Sequence, residues 1–235
     1  MISTSEIKEI LSKTNLSEQD LKTLEEFEPN DGTNRLYSFF TPVWLCQVIY
    51  DLAKKHGFNP SNGRVLEPAS GTGNFLAVLD KPENSWAFEL DPLNYQIAKK
   101  RVPQATIYNQ YFETAFLEPG RYTNKLKNKV SWLGDFDLVI GNPPYGKYKN
   151  QYSGYFSNLK IKQIELFFML QSMKLLKKDG LLAFITASSF LRNDKTYEHE
   201  KKLIGEYAEM VDAYRMPKVF KNTDVPTDIL IFRRK

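Results

Sequence analysis

The sequence predicts an α/β fold: a mostly parallel sheet with helices on both faces and an antiparallel last strand. Three observations carry the prediction. Short apolar runs (RVLEPAS, SWAFELD, ATIYNQ, DFDLVIGN and GLLAFITAS) alternate with helical segments near residues 74–80, 92–101 and 161–178, the rhythm of strands joined by crossover helices. The first run passes through a glycine-containing turn directly into a helix. The tail, PTDILIFRR at 226–234, follows a strand-like segment at 210–214 across a gap too short for a helical crossover, so the final strand runs antiparallel.

At 235 residues and 42% hydrophobic, the chain is long enough for one sizeable core and short for two. It divides into an N-terminal helical extension, 1–35, and one domain, 36–235. In the extension, Ser17-Glu-Gln-Asp resembles a helix start and Pro29-Asn-Asp-Gly a stop. Pro42 opens a helix over VWLCQVIYDLAKK, which Gly57 ends. The aromatic-rich Leu166-Phe-Phe-Met-Leu is the buried face of a helix against the sheet. Two polar stretches, 112–134 and 146–159, lack clean periodicity. Both follow the C-terminal ends of strands, the edge where open α/β sheets bind ligands.

Composition excludes several classes. One cysteine, Cys46, cannot make a disulfide framework, and no Cys/His spacing suits a metal, which fits a reducing cytoplasm. Cys46 belongs in the core, and His56 and His199 lack partner spacing. No segment approaches the roughly 20 apolar residues of a membrane span, and the N-terminus lacks a secretion signal, so a soluble cytoplasmic protein is expected. The formal charge of +4 is too small to diagnose nucleic-acid binding. Basic residues do gather at 121–129 (RYTNKLKNK), at Lys147 and Lys149, and in the last three residues. A solvated surface and a phosphate-binding one remain open on charge alone.

The chemistry concentrates at two strand ends. In Leu66-Glu-Pro-Ala-Ser-Gly-Thr-Gly-Asn-Phe, Gly71 and Gly73 permit a tight turn with close backbone approach to a ligand. Such a turn also serves packing, but the next strand adds Glu89, 16 residues after Gly73, where a carboxylate can accept both hydroxyl hydrogens of a ribose. Asp91 competes for that role, or caps the following helix. The turn is not G-x-G-x-x-G, since Leu76 stands at the third position, and Glu67 precedes the glycines. A carboxylate there repels a pyrophosphate and suits an ammonium and a sulfonium, which S-adenosylmethionine carries. Nicotinamide dinucleotides are disfavoured.

At the second end, Asp137-Leu-Val-Ile-Gly-Asn-Pro-Pro-Tyr delivers Asn142 to the sheet's ligand edge ahead of two prolines that offer no amide hydrogens. The Asn142 side-chain oxygen and the Pro143 carbonyl form an acceptor pair. Two acceptors gripping an aromatic amine would localise its lone pair and aim it at a methyl donor. Pro144 keeps the loop rigid, and Tyr145 offers a flat face for a base. A rigid turn with a packed tyrosine is the alternative for the tetrapeptide taken alone.

With these motifs in this order, the chain resembles the gamma class of N6-adenine DNA methyltransferases of restriction-modification systems. The matching elements are Phe40-Thr-Pro, the Leu66-to-Phe75 turn, Phe88-Glu-Leu-Asp, Asn142-Pro-Pro-Tyr, Gly180-Leu-Leu-Ala-Phe-Ile-Thr and Val219-Phe-Lys-Asn-Thr-Asp-Val-Pro-Thr, over about residues 39–232. The resemblance implies a Rossmann-like S-adenosylmethionine-dependent methyltransferase fold with a seven-stranded sheet. It implies direct methyl transfer to an adenine extruded from DNA, without metal. It also implies that Thr41 and the turn residues Glu67, Pro68, Ala69, Ser70, Gly71, Gly73, Asn74 and Phe75 contact the methionine part of the cofactor. Glu89 and Leu90 would contact ribose and its surroundings, and Asn142 and Pro144 would border the cofactor as well. Phe220 would line the flipped-base pocket opposite Tyr145. The family's acidic partner for the cofactor's adenine amino group is missing: the matching stretch is Asn109-Gln-Tyr-Phe, with Tyr111 at the acidic position. Asn109 or Gln110 could accept that hydrogen bond, and Phe112 could wall the adenine pocket.

Family members that act alone carry a target-recognition domain, for which these 235 residues leave no room. Specificity would come from a partner subunit, a further C-terminal region, or the two polar loops, whose Lys125, Lys127, Lys147 and Lys149 could contact phosphates. Three other readings stay open: a glutamine methyltransferase of release factors, an RNA adenine methyltransferase, and a silent DNA-binding subunit with the same fold.

Overall fold

A computed structural model describes residues 2–28, 40–188, 190–192, 195–220 and 225–235. The expected stop at Pro29 and the boundary at 35/36 lie outside them, as does the stretch 221–224 of the last matching element. The chain begins with α1 (Thr4–Ser12) and α2 (Glu18–Glu26), the latter opened by Ser17 and Asp20 in a reciprocal capping box. After α3 (Val43–Lys55) come β1 (Val65–Glu67), α4 (Asn74–Ala77), β2 (Ser85–Phe88), α5 (Pro92–Arg101) and β3 (Thr106–Tyr108). A small hairpin, β4 (Leu117–Pro119) with β5 (Leu126–Asn128), precedes β6 (Phe136–Gly141). Then follow α6 (Ile164–Leu175), β7 (Leu176–Ala187), α7 (Glu198–Tyr207), β8 (Ala208–Arg215) and β9 (Thr227–Arg234).

Seven of these strands make one sheet in the order β3-β2-β1-β6-β7-β9-β8. Pairs from β3 through β7 are parallel, and β9 lies antiparallel between β7 and β8. The seven-stranded, mostly parallel sheet and its antiparallel last strand are therefore as expected. From β1 the chain winds outward to β3, then returns to place β6 on the other side of β1, a switch point where loops from neighbouring strand ends diverge and leave a crevice. The loops after β1 and β6 both open into it.

Helices cover both faces. Leu45, Ile49 and Tyr50 of α3, Leu76 of α4 and Ala98 of α5 pack with Leu138, Ile140 and Ile185 on one side. Phe167, Met169 and Met173 of α6 and Ile204 of α7 pack with Val139, Leu182 and Phe184 on the other. A third cluster joins Ile7, Ile10, Leu24 and Phe27 to Ile97, docking α1 and α2 onto α5.

Three elements differ from expectation. The helix expected over 161–178 spans Ile164–Leu175, and the next residues join β7, where Leu176 pairs with Phe136 across a register shift. Asp179 takes a left-handed φ of 65° in the strand's Lys-Lys-Asp-Gly interruption, a conformation that short polar side chains tolerate. The segment expected near 74–80 is a four-residue helix. Finally, α6 is buried on nearly all sides rather than on one face, because the 146–159 loop also lies over it: the Tyr148 ring stacks on Phe167 at 4.0 Å.

Candidate active site

The turn after β1 starts from a fully sequestered carboxyl. Glu67 is 1% exposed, and its Oε2 finds no hydrogen-bond partner. Burial pushes this carboxyl well above the usual carboxylate range, and the nearby charge of Glu89 pushes the same way. Pro68 is buried and Ala69 half-buried beside it. Ser70 ties the turn to β2 through its amide and the Phe88 carbonyl (2.9 Å), while the hydroxyls of Ser70 and Thr72 are buried without partners. Gly71 and Gly73 adopt φ of 54° and 84°, and a Cβ at Gly73 would stand 3.1 Å from that of Ala98 in α5. With only four residues behind it, this turn offers backbone geometry rather than a helix dipole.

Glu89 follows β2. Its Oε2 accepts from the Gly71 amide and its Oε1 from the Asp91 amide, both at 2.7 Å. Burial nonetheless raises its pKa to about 7, against the lowering effect of those two amides. Asp91 is the cap of α5, its Oδ1 accepting from the Leu93 and Asn94 amides, the second of the two roles open to it. Leu90 is 52% exposed at the mouth of the crevice. Asn109 donates to the Glu89 and Leu90 carbonyls at 2.8 and 3.1 Å, so its amide nitrogen shapes this turn. Gln110 Oε1 accepts from Thr114 at 3.1 Å, and Tyr111 sets its ring edge-on to Tyr152 of the second polar loop. Phe112 is buried, packed against Phe88, Phe116 and Phe168.

On the β6 side, Asn142 Nδ2 donates to Thr41 Oγ1 at 3.1 Å, and Asn142 Oδ1 accepts from the Tyr145 hydroxyl at 2.6 Å. That hydroxyl also lies 3.4 Å from the Ile185 carbonyl, and burial pushes its pKa up, which keeps it a donor. Thr41, just ahead of α3, thus links the elements at 41 and 142. Pro143 is buried and Pro144 half-buried. The rings of Tyr145 and Phe220 are 8% and 6% exposed, and Phe220 and Phe75 belong to the first core cluster.

The candidate phosphate contacts lie on the two polar loops. Lys125, Lys147 and Lys149 are exposed, and Lys127 pairs with Glu118 across the β4–β5 hairpin at 3.3 Å. Tyr122 and Tyr155, on the same two loops, are also exposed. His56 does have a partner: its Nε2 meets Asp212 at 2.9 Å, where β8 edges the sheet far along the strand order from the crevice. Cys46 is buried as expected. Among the described residues no group of three His, Cys, Asp or Glu side chains could hold a metal, and no helix is long and apolar enough to cross a membrane.

Sequence reasoning missed Arg101. Its guanidinium lies 5% exposed behind the glycine turn, donating to the Thr72 carbonyl (2.8 Å) and to Asn74 Oδ1 (2.5 Å). In sequence it is one of three basic residues closing a helix, where a solvated cation is the ordinary reading.

The profile of the Eco57I restriction-modification methylase family matches residues 77–220, which take in Glu89, Asn142 to Tyr145 and Phe220. The Type II methyltransferase M.AccI of Acinetobacter calcoaceticus is 31% identical over 186 residues, covering 71% of this chain and 31% of that protein. This chain spans 31% to 52% of the length of the first curated relatives it matches. Among solved structures, a class I S-adenosylmethionine-dependent methyltransferase from Listeria monocytogenes superposes with a TM-score of 0.68 at 18% identity, over 99% of this chain and 69% of that one. The methyltransferase subunit of a type I restriction-modification system from Streptococcus thermophilus gives 0.66 at 18% identity, over 91% and 47%. The two structural likenesses establish the fold.

Proposed function

The chain belongs to the Eco57I restriction-modification methylase family, and from that premise we propose that it methylates the exocyclic N6 amino group of adenine in DNA. The cofactor is S-adenosyl-L-methionine, which supplies an electrophilic methyl group when bound. The crevice suits it. The orphaned Glu67 Oε2 matches its ammonium, Glu89 keeps acceptor capacity for ribose hydroxyls, and exposed Leu90 offers an apolar edge for its purine.

The observation that carries the reading is the orientation of Asn142. With Nδ2 donating to Thr41, the amide oxygen faces the Tyr145 side, where it and the Pro143 carbonyl would present acceptors to an incoming amine. That oxygen and the Pro143 carbonyl hold the two amino hydrogens, which draws the nitrogen lone pair out of the ring and toward the methyl donor. The N–C bond would form as the sulfonium's S–C bond breaks, S-adenosylhomocysteine would leave, and the surplus proton of the methylated amine would pass by one of these acceptors to solvent. Tyr145 and Phe220 flank the base after extrusion from the duplex, a step that costs a few kcal/mol of lost stacking and pairing. Both rings are covered in this structure, so entry of the base displaces part of their present packing. Exposed Lys125, Lys147 and Lys149 hold phosphates, and sequence choice resides in a partner subunit or a further region of a longer protein.

The test is transfer of labelled methyl from S-adenosylmethionine to unmethylated DNA, with release-factor protein and RNA as parallel acceptors and nucleoside analysis of the product. N6-methyladenine in DNA is the expected product. Label in glutamine, in RNA or in cytosine would overturn the reading.

A further inference from the structure

Asn142 does not hold its orientation alone. Arg101 is the last residue of α5, and its guanidinium carries only donors, so the Asn74 oxygen must face it. That leaves Asn74 Nδ2 to donate to the Thr41 carbonyl at 2.9 Å, which pins the residue whose Oγ1 receives Asn142. The hydroxyl of Tyr145 closes the series on Asn142 Oδ1. A carboxamide presents a donor at one end and an acceptor at the other. Reversing Asn74 would set its nitrogen against the guanidinium and its oxygen against the Thr41 carbonyl, so its direction is fixed. The Thr41 and Tyr145 hydroxyls serve as donor or acceptor, so at Asn142 the series fixes where Thr41 stands. Asn74 is 8% exposed with both ends engaged inside the protein, the position of a strut between Arg101 and Thr41.

The ordinary role for Arg101 is to tie α2 to the domain through Glu25. The geometry ranks that contact last: Glu25 is 45% exposed and 3.3 Å away, a pair worth little in water, whereas the shorter bonds go to the glycine turn. Only a planar fork reaches Thr72, Asn74 and Glu25 together, which a lysine cannot.

We propose that Arg101 is a positioning residue for methyl transfer, acting through Asn74 and Thr41 to keep the Asn142 side chain in place beside the target amine. The inference rests on the reading of Asn142 as the group that grips that amine. It sets the N-terminal half of the molecule, through α5, in control of a side chain on the loop after β6.

Two measurements test it. The first needs no substrate: the side-chain amide signals of Asn142 in nitrogen-15 correlated NMR spectra, assigned by their loss in Asn142→Ser. The second is the single-turnover rate of transfer to DNA at saturating S-adenosylmethionine. Arg101→Lys should move the Asn142 signals and slow transfer by about tenfold to a hundredfold, the scale of a small misplacement. Glu25→Gln should leave both unchanged. Asn74→Asp keeps an acceptor for Arg101 and cannot donate to Thr41, so it should reproduce the Arg101→Lys effects, and it decides the matter if Arg101→Lys fails to fold. Wild-type Asn142 signals and a wild-type rate in the folded variants would overturn the proposal. If the signals move while the wild-type protein transfers nothing to DNA, the relay stands and the DNA-methylation reading falls.

Discussion

The two ends of the crevice are built on opposite plans. At the turn after β1, polar groups are buried and left wanting: Glu67 Oε2, Ser70 Oγ and Thr72 Oγ1 have no partners, and Leu90 projects apolar surface into solvent. At the loop after β6, Asn142 and Tyr145 engage each other, and Tyr145 and Phe220 are tucked into packing. A buried group without a partner costs about 1–3 kcal/mol, so the first arrangement stores free energy that a complementary ligand releases. The second is nearly self-satisfied and must exchange contacts to admit a base. On the proposed reading, the end after β1 is preformed for a small cofactor that diffuses in, and the end after β6 closes on itself until a base is extracted.

The sharpest way to break this contrast is Asn142→Ala. Transfer should fall by more than about a hundredfold, the scale seen on removing one transition-state hydrogen-bonding group, while cofactor affinity measured by titration calorimetry stays close to wild type. A parallel loss of cofactor affinity would mean that the two ends do not act separately. Glu67→Gln should do the reverse, weakening cofactor binding by about 2 kcal/mol or more, since a buried charge pair loses one member. The same change should raise the melting temperature of the free protein, because it removes an uncompensated carboxyl from the interior. Opposite signs in binding and stability are the mark of a group held in wait for a ligand.

The pH dependence follows from Glu89. Its folded pKa of about 7 lies above the ordinary 4.5, so the fold favours the protonated form. Its contribution to stability is therefore full below 4.5 and is lost as pH rises to about 7. Ribose hydroxyls prefer the ionised carboxylate, so cofactor affinity should rise by about tenfold from pH 5.5 to 7.5, a shift near one pKa unit in binding. Melting curves with and without S-adenosylmethionine at several pH values should show the free protein falling while the cofactor-induced shift grows. A flat shift across that range would remove Glu89 from the cofactor site. The smallest effect is expected from Tyr145→Phe: losing the hydroxyl donor to Asn142 should slow transfer by about fivefold, near 1 kcal/mol, with cofactor affinity unchanged.

Much of this was legible in the sequence because it depends on local patterning. Alternating apolar runs locate the strands, the short gap before 226–234 makes the last strand antiparallel, and Gly71, Gly73 and Glu89 mark their turn by residue type. The hairpin inside 112–134 was missed because its strands are three residues each and largely polar. The role of Asp91 needed a distance: a carboxylate before a proline serves equally as cap or ligand until the amides of Leu93 and Asn94 are seen to point at it.

By itself, the sequence determined the fold class and put Glu67, Glu89 and Asn142 forward as candidates at two strand ends, since side-chain chemistry and short-range spacing travel with the chain. Tertiary structure alone decided which way the Asn142 amide faces and what holds it. Arg101, Asn74, Thr41 and Asn142 are scattered over 101 positions, and their hydrogen bonds depend on groups that meet only when α3, α4, α5 and β6 have packed. No periodicity records such a meeting, because each donor finds its acceptor through folding in space.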